Sequence, residues 1–185
     1  MTEKLEGTSA TYVLRRRGWR KTFGVFSRHT WRGHGSVYWE MGQENGIKGL
    51  LESLMGYGVS SVALQGEIIG PKIQGNIYGM GKPKLFVYRI RINHKNGNSV
   101  FLNPVQIRDV LTKWLNKSGK RVEAVPYLGS IVIDQETTVD SILMLAEAKS
   151  EIGDTMMEGV VFVCESDASL SFKAVSNAYL LEKGK

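Results

Sequence analysis

The dipeptide Asn96-Gly97 follows closely on residues 84–93, where aliphatic or aromatic side chains alternate with polar ones, and this pairing constrains the fold more than any other feature. Asn and Gly both tolerate the positive φ of a tight hairpin turn, and a period of two buries one face of the strand. A hairpin is predicted. Upstream, residues 9–14 and 22–26 are rich in β-branched and aromatic side chains and flank Gly18, so they also read as paired strands. Residues 61–69 give another strand, which should end in a loop at Gly70-Pro71.

Helical signals lie between these strands. Over residues 37–55, Val37, Met41, Ile47, Leu50, Leu51 and Leu54 approximate a helical stripe behind a candidate N-cap at Ser36; Gly46 and Gly49 in its middle predict two short helices. Asn103-Pro104 supplies an N-cap and a first-turn proline for a helix through Trp114, Leu115 and Lys117, ending near Gly119. Residues 130–134 read as a strand and residues 138–150 as an amphipathic helix with Ile142, Leu145 and Ala146 inward. Two last strands, 159–164 and 170–175, surround the polar turn 165–169. Hairpins with grouped helices, rather than regular βαβ alternation, predict an α+β fold with largely antiparallel sheets.

The 185 residues are enough for one substantial core, so residues 1–185 are expected to form one domain. No apolar stretch approaches the ~20 residues of a membrane helix, and the start Met-Thr-Glu-Lys lacks the regions of a signal peptide. A cytoplasmic monomer without membrane contact is expected. Cys164 is the single cysteine, which excludes an internal disulfide, and its place after the apolar run 160–163 predicts a buried, inert strand residue. His29, His34 and His94 are scattered without partner cysteines, so no zinc site is expected. Trp19, Trp31, Trp39 and Trp114 are expected in or near the core. A net charge of +6 admits polyanionic partners, and much of it sits in Arg15, Arg16, Arg17, Arg20 and Lys21 around Gly18. Charge alone leaves open whether that run is a solvated loop or a nucleic-acid contact.

Lys4 stands in the run Thr2-Glu3-Lys4-Leu5-Glu6-Gly7-Thr8, and a short lysine motif of this kind arises easily by chance. Further segments follow it in order. They are Phe23-Gly24-Val25-Phe26-Ser27-Arg28, then Gln65-Gly66-Glu67 with Gly70-Pro71-Lys72-Ile73-Gln74, Leu85-Phe86-Val87-Tyr88, Glu158-Gly159-Val160-Val161 and Ser171-Phe172-Lys173. With the Lys4 run, the series resembles motifs I, Ia, III, IIIa, IV and V of the covalent nucleotidyltransferases, and within them the RNA-ligase-2-like family of ATP-dependent ligases. The resemblance runs from Thr2 to about Leu181, and its most diagnostic piece is Gly66-Glu67 through the Gly70 to Gln74 segment.

This resemblance implies a ligase-type nucleotidyltransferase fold, ATP-grasp-like, with two antiparallel sheets flanked by helices around a nucleotide pocket. It implies ATP as the AMP donor and Mg²⁺ or Mn²⁺ as the metal. Lys4 would attack the α-phosphorus as a neutral amine, forming lysyl-AMP, with Lys173 near the α-phosphate. Glu158 would help to hold the metal, because a carboxylate is a hard oxygen ligand. Glu67 would accept from the ribose, Arg28 would contact the sugar or the ligation junction, Tyr88 would stack on adenine and Glu3 would lie near the adenine edge. AMP would pass to a 5′-phosphate RNA end and a 3′-OH would displace it, as at a nick in a duplex; the basic run would then be a phosphate contact.

The chain also departs from the family pattern. Compared with it, an accessory N- or C-terminal domain is expected to be lacking. Ser171 stands where many ligases have a second lysine, Arg89 where an acidic residue is common, and Ser9 where asparagine is frequent. Three readings remain open: an RNA ligase core; a DNA ligase or mRNA-capping guanylyltransferase, which share the lysine chemistry; and a non-catalytic RNA-binding derivative.

Overall fold

In the computed structural model, which describes residues 1–183, the chain builds two sheets that face each other. The larger has the order β3-β2-β4-β5-β6, from β2 (Thr8–Arg17), β3 (Arg20–Phe26), β4 (Val59–Ile69), β5 (Lys84–His94) and β6 (Ser99–Phe101). All of its neighbours are antiparallel except the two-residue β7 (Glu123–Ala124), which runs parallel beside β5. The smaller sheet is antiparallel with the order β1-β8-β9, from β1 (Thr2–Lys4), β8 (Gly159–Val163) and β9 (Ser171–Val175). The α+β expectation with antiparallel sheets holds.

Local signals place most elements. Ser36 caps α1 (Val37–Glu44), its hydroxyl accepting from the Trp39 amide at 3.3 Å. Gly46, at φ +64°, then breaks the stripe before α2 (Ile47–Leu54), because that conformation is strained for a residue with a Cβ. Asn103 and Gln106 form a reciprocal capping box at the start of α3 (Pro104–Ser118). The three helices cover one face of the large sheet. Tyr12, Leu14, Leu64 and Ile90 from the strands pack there with Ile47, Leu50, Leu51, Ile107 and Leu111 from α2 and α3. Each such side chain contributes roughly 1.5–3 kcal/mol by leaving water. The sheet's other face is turned toward the small sheet. That sheet packs its own outer face, through Val160, Phe162 and Ala174, on Ile142 of α4 (Val139–Met144) and on Ala146.

Four expectations need correction. Residues 130–134 are not a strand: Ile131, Val132 and Ile133 are 39%, 85% and 51% exposed. β-branched character alone does not make a strand without a pairing partner: the outer edge of β1 is taken by backbone bonds to Pro126 and Leu128, and residues 131–133 pair with neither sheet. The helix expected over 138–150 stops after α4, and Leu145 is exposed although Ala146 is buried as expected. The chain leaves the helix because Glu147 receives the amides of Asn177 and Ala178, at the start of α5 (Asn177–Lys183), and the Ser176 hydroxyl. Cys164 lies just past β8 and is exposed, with its sulfur 3.3 Å from the Ser166 hydroxyl. Trp19 and Trp31 are 85% and 61% exposed, while Trp39 and Trp114 are half-buried. Among the described residues no helix is long and apolar enough to cross a membrane.

Candidate active site

A pocket of about 600 Å³ opens along the seam between the two sheets, a size that suits a nucleotide. Its wall includes Glu3, Lys4, Arg28, Glu67, Tyr88, Glu158 and Lys173, so residues distant in sequence and named for one chemistry converge on one cavity.

The small sheet supplies the charged pair. β1 pairs with β8 in the register Thr2 with Val161 and Lys4 with Gly159, which sets Lys4 beside Glu158, and the two side chains form an ion pair. Val161 is in turn paired with Lys173 of β9, so Thr2, Val161 and Lys173 share the pocket face. Gly159 permits this assembly: at φ +154° it adopts a backbone that other residues avoid, and a Cβ there would stand 2.1 Å from the Ala174 carbonyl oxygen. Gly7 lets β1 turn into β2 against β4, where an added Cβ would meet the Ile68 carbonyl oxygen at 2.4 Å.

Alternation along β1 turns Glu3 to the opposite face from Lys4. Its carboxylate is buried and receives the Ser150 hydroxyl at 2.5 Å and the Glu151 amide at 3.0 Å. Burial raises its pKa, and these hydrogen bonds work against the shift. Glu6 pairs with Lys183 from the end of α5, and its backbone amide donates to the Tyr78 hydroxyl at 2.8 Å.

The large sheet supplies the opposing wall. Glu67 of β4 is pushed up to about 7, chiefly by burial, with Lys4 and Arg28 acting against the shift and Glu158 adding to it. On β5 the pairing slips: Gln65 faces Arg89, yet Gly66 faces Val87, leaving Tyr88 as an extra residue. Such a bulge re-aims side chains, and here the adjacent Tyr88 and Arg89 both line the pocket. The Tyr88 hydroxyl shares a 2.9 Å hydrogen bond with Ser9.

The basic run is not part of this cluster. Arg15, Arg17, Arg20 and Lys21 are exposed at the tip of the β2–β3 hairpin, and Arg16 donates to the Met55 carbonyl at 3.2 Å. Eight steps along β2 separate Ser9 from Arg17, about 26 Å at strand rise. Sequence reasoning missed the closure of Glu6 by Lys183 and the whole of α5. A usable signal existed, since Ser176 caps that helix by accepting from the Tyr179 amide at 3.0 Å.

Two facing antiparallel sheets that hold a lysine, a paired carboxylate and a second lysine in one nucleotide-sized cleft define a ligase-type nucleotidyltransferase core. The chain belongs to the RNA ligase family: the family model described as RNA ligase matches residues 1–175. Among solved structures, an apo lysine-to-alanine mutant of Naegleria gruberi RNA ligase is 31% identical with a TM-score of 0.80, covering 98% of this chain and 50% of that one. A glutamate-to-alanine mutant of the same ligase with ATP and Mn is 29% identical with a TM-score of 0.81, covering 100% and 51%. The ligase with PPi is 30% identical with a TM-score of 0.80, again covering 100% and 51%. The chain thus spans about half the length of these solved relatives. A comparison with curated proteins finds no match.

Proposed function

We propose that this chain is the adenylylating core of an ATP-dependent RNA ligase. The observation that carries the reading is the convergence of Lys4, Glu67, Glu158 and Lys173 on one cleft from distant parts of the chain. Lys4 Nζ attacks the α-phosphorus of ATP; an N–P bond forms, the bond from the α-phosphorus to the bridging oxygen breaks, and pyrophosphate and a proton leave. Lys173 stabilises negative charge developing on the α-phosphate. Tyr88 stacks on adenine, Glu67 accepts from the ribose hydroxyls, Arg28 contacts the sugar or the junction, and Glu3, its carboxylate committed to Ser150 and Glu151, lies at the adenine edge through its backbone. AMP then passes to a 5′-phosphate RNA end, and a 3′-OH displaces it to seal the strand. The exposed arginines and lysine of the β2–β3 tip hold substrate phosphates away from the cleft.

Glu158 suits a hard divalent cation. Among the described residues no group of three or more His, Cys, Asp or Glu side chains could cage a metal, so Mg²⁺ or Mn²⁺ would share its shell between Glu158 and nucleotide phosphates. Such a cation neutralises phosphate charge when bound. The Naegleria ligase structures with ATP and Mn support this choice.

Incubation with α-labelled ATP and Mg²⁺ or Mn²⁺, followed by denaturing electrophoresis, should show an acid-labile label that Lys4→Ala abolishes. A folded parent protein that takes no label sinks the proposal and leaves RNA binding without chemistry. Competition by GTP, and comparison of RNA with DNA 3′-OH strands, separate RNA ligation from capping and DNA ligation.

A further inference from the structure

Lys4 is paired with Glu158, but three other cations of the cleft, Arg28, Arg89 and Lys173, pair with no carboxylate among the described residues. Arg89 differs from the other two in its placement. It stands on β5 of the large sheet, and its Nη2 donates to the Ser171 hydroxyl on β9 of the small sheet at 3.3 Å, so it crosses the seam. Ser171 and Lys173 are two residues apart in one strand, and therefore on one face about 7 Å apart. The guanidinium is thus held beside Lys173. A neutral hydroxyl orients it without cancelling its charge and occupies only one of five N–H donors. The Phe101 ring, 5.8 Å from the guanidinium carbon, supports it from the side. Two cations on neighbouring positions of one pocket wall repel each other, and an anion between them relieves the repulsion.

We propose that Arg89 and Lys173 form a phosphate-binding subsite across the seam, with Arg89 supplying from β5 the second cation that the pocket face of β9 lacks at Ser171. The proposal rests on the nucleotide reading of the cleft and adds a residue that reading does not use. A planar fork binds two oxygens of one phosphate, which a lysine at 89 would not reproduce. The ligand is the phosphate group that adjoins the α-phosphate contacted by Lys173, either the pyrophosphate portion of ATP before transfer or the 5′-phosphate of the RNA after it.

The test compares the parent with Arg89→Ala, Arg89→Lys and the double variant Arg89→Ala/Ser171→Lys, which returns a cation to the same place from the other sheet. Lysyl-AMP formation is followed against ATP concentration, and AMP transfer from pre-formed lysyl-AMP to 5′-phosphorylated RNA is followed separately. The expected result for Arg89→Ala is a loss of about tenfold, the size of one charge-assisted contact, recovered at least in part by the double variant. A loss confined to ATP dependence assigns the subsite to the triphosphate, and one confined to AMP transfer assigns it to the RNA 5′-phosphate. Both steps within about twofold of the parent overturn the proposal. So does a loss that the double variant leaves unrepaired while its melting temperature matches the parent's, because Arg89 would then act only as a structural tie. Calorimetric titration with inorganic pyrophosphate reads the subsite even if no lysyl-AMP forms, so failure of the adenylylation reading stays distinct: weaker binding by Arg89→Ala upholds the subsite, and equal binding removes pyrophosphate as its ligand.

Discussion

Lys4 and Glu158 lie 154 residues apart in the chain and meet as an ion pair at the floor of the cleft, each side chain mostly shielded from water. The pair exists because β1, only three residues long, is captured between β8 and the 126–128 backbone. In the proposed mechanism the pair holds the Lys4 nitrogen at the carboxylate and has to open before Lys4 attacks.

Glu158→Ala frees Lys4 from the pair but removes the carboxylate proposed to hold the metal, and should cut lysyl-AMP formation by at least about 100-fold, the range seen when one preorganised charge is removed from a reacting centre. Stability should fall by roughly 1.5–3 kcal/mol, as for the loss of a hydrogen bond to a charged group. Rapid-quench labelling and urea unfolding measure the two effects; near-parent labelling by a folded variant would remove Glu158 from the mechanism.

Glu67 should make stability pH-dependent. In the folded chain its carboxyl keeps the proton to about pH 7, whereas an unburied glutamate releases it near 4.5. Between those values the folded state binds more protons than the unfolded, so this contribution to stability falls as pH rises from about 4.5 to 7 and is constant above. Its size is on the order of 2–3 kcal/mol after allowing for partial exposure. Glu67→Gln should gain stability over the parent at pH 8 relative to pH 5 in denaturant titrations. An identical difference at both pH values would contradict the raised pKa.

Tyr88→Phe keeps the ring and loses only the hydrogen bond to Ser9, so the ATP concentration for half-maximal labelling should rise by about fivefold, the central value of a neutral hydrogen bond. Tyr88→Ala removes the platform and should weaken ATP by about 5- to 150-fold, the equivalent of ~1–3 kcal/mol of base stacking. Equal behaviour of the two variants would mean that the ring does not stack on adenine.

Gly7→Ala places a Cβ against the Ile68 backbone oxygen, which has no side-chain freedom with which to give way. A cost of roughly 1–3 kcal/mol is expected, with slower labelling because Lys4 is displaced relative to Glu67. Thermal unfolding and single-turnover labelling would show both; a neutral result means the β1–β2 turn shifts freely.

Replacing Arg17, Arg20 and Lys21 together with glutamine should weaken binding of 5′-phosphorylated RNA duplex and flatten its salt dependence, by about one unit of log–log slope for each phosphate no longer neutralised. Trp19 is 85% exposed beneath a 4.8 Å contact with Arg20, which suits a surface that meets a partner. An unchanged salt slope in fluorescence anisotropy would return the hairpin tip to a solvated loop.

Much of the fold is legible because its signals are local. The strand period of β4 and β5, the Asn96-Gly97 turn, the Ser36 and Asn103 caps and the break at Gly46 each act within a few residues, and all appear where the sequence puts them. The errors fall where local preference meets tertiary competition. Residues 131–133 have strand propensity but pair with neither sheet, the edge of β1 being taken by the 126–128 backbone, and the helix expected to run to Ser150 ends where Glu147 and Ser150 are claimed by distant partners.

The site divides in the same way. The residue types of the chemistry, Lys4, Glu67, Glu158 and Lys173, and their order along the chain are determined by the sequence alone, since each sits in a recognisable short segment. Which of them touch was decided only by the tertiary structure. A three-residue strand such as β1 has no periodicity to read, and a bulge at Tyr88 leaves no mark in the pattern of β5. The ion pair of Lys4 with Glu158 and the bond from Arg89 to Ser171 both depend on long-range pairing and on the packing of two sheets, which no window of the chain contains.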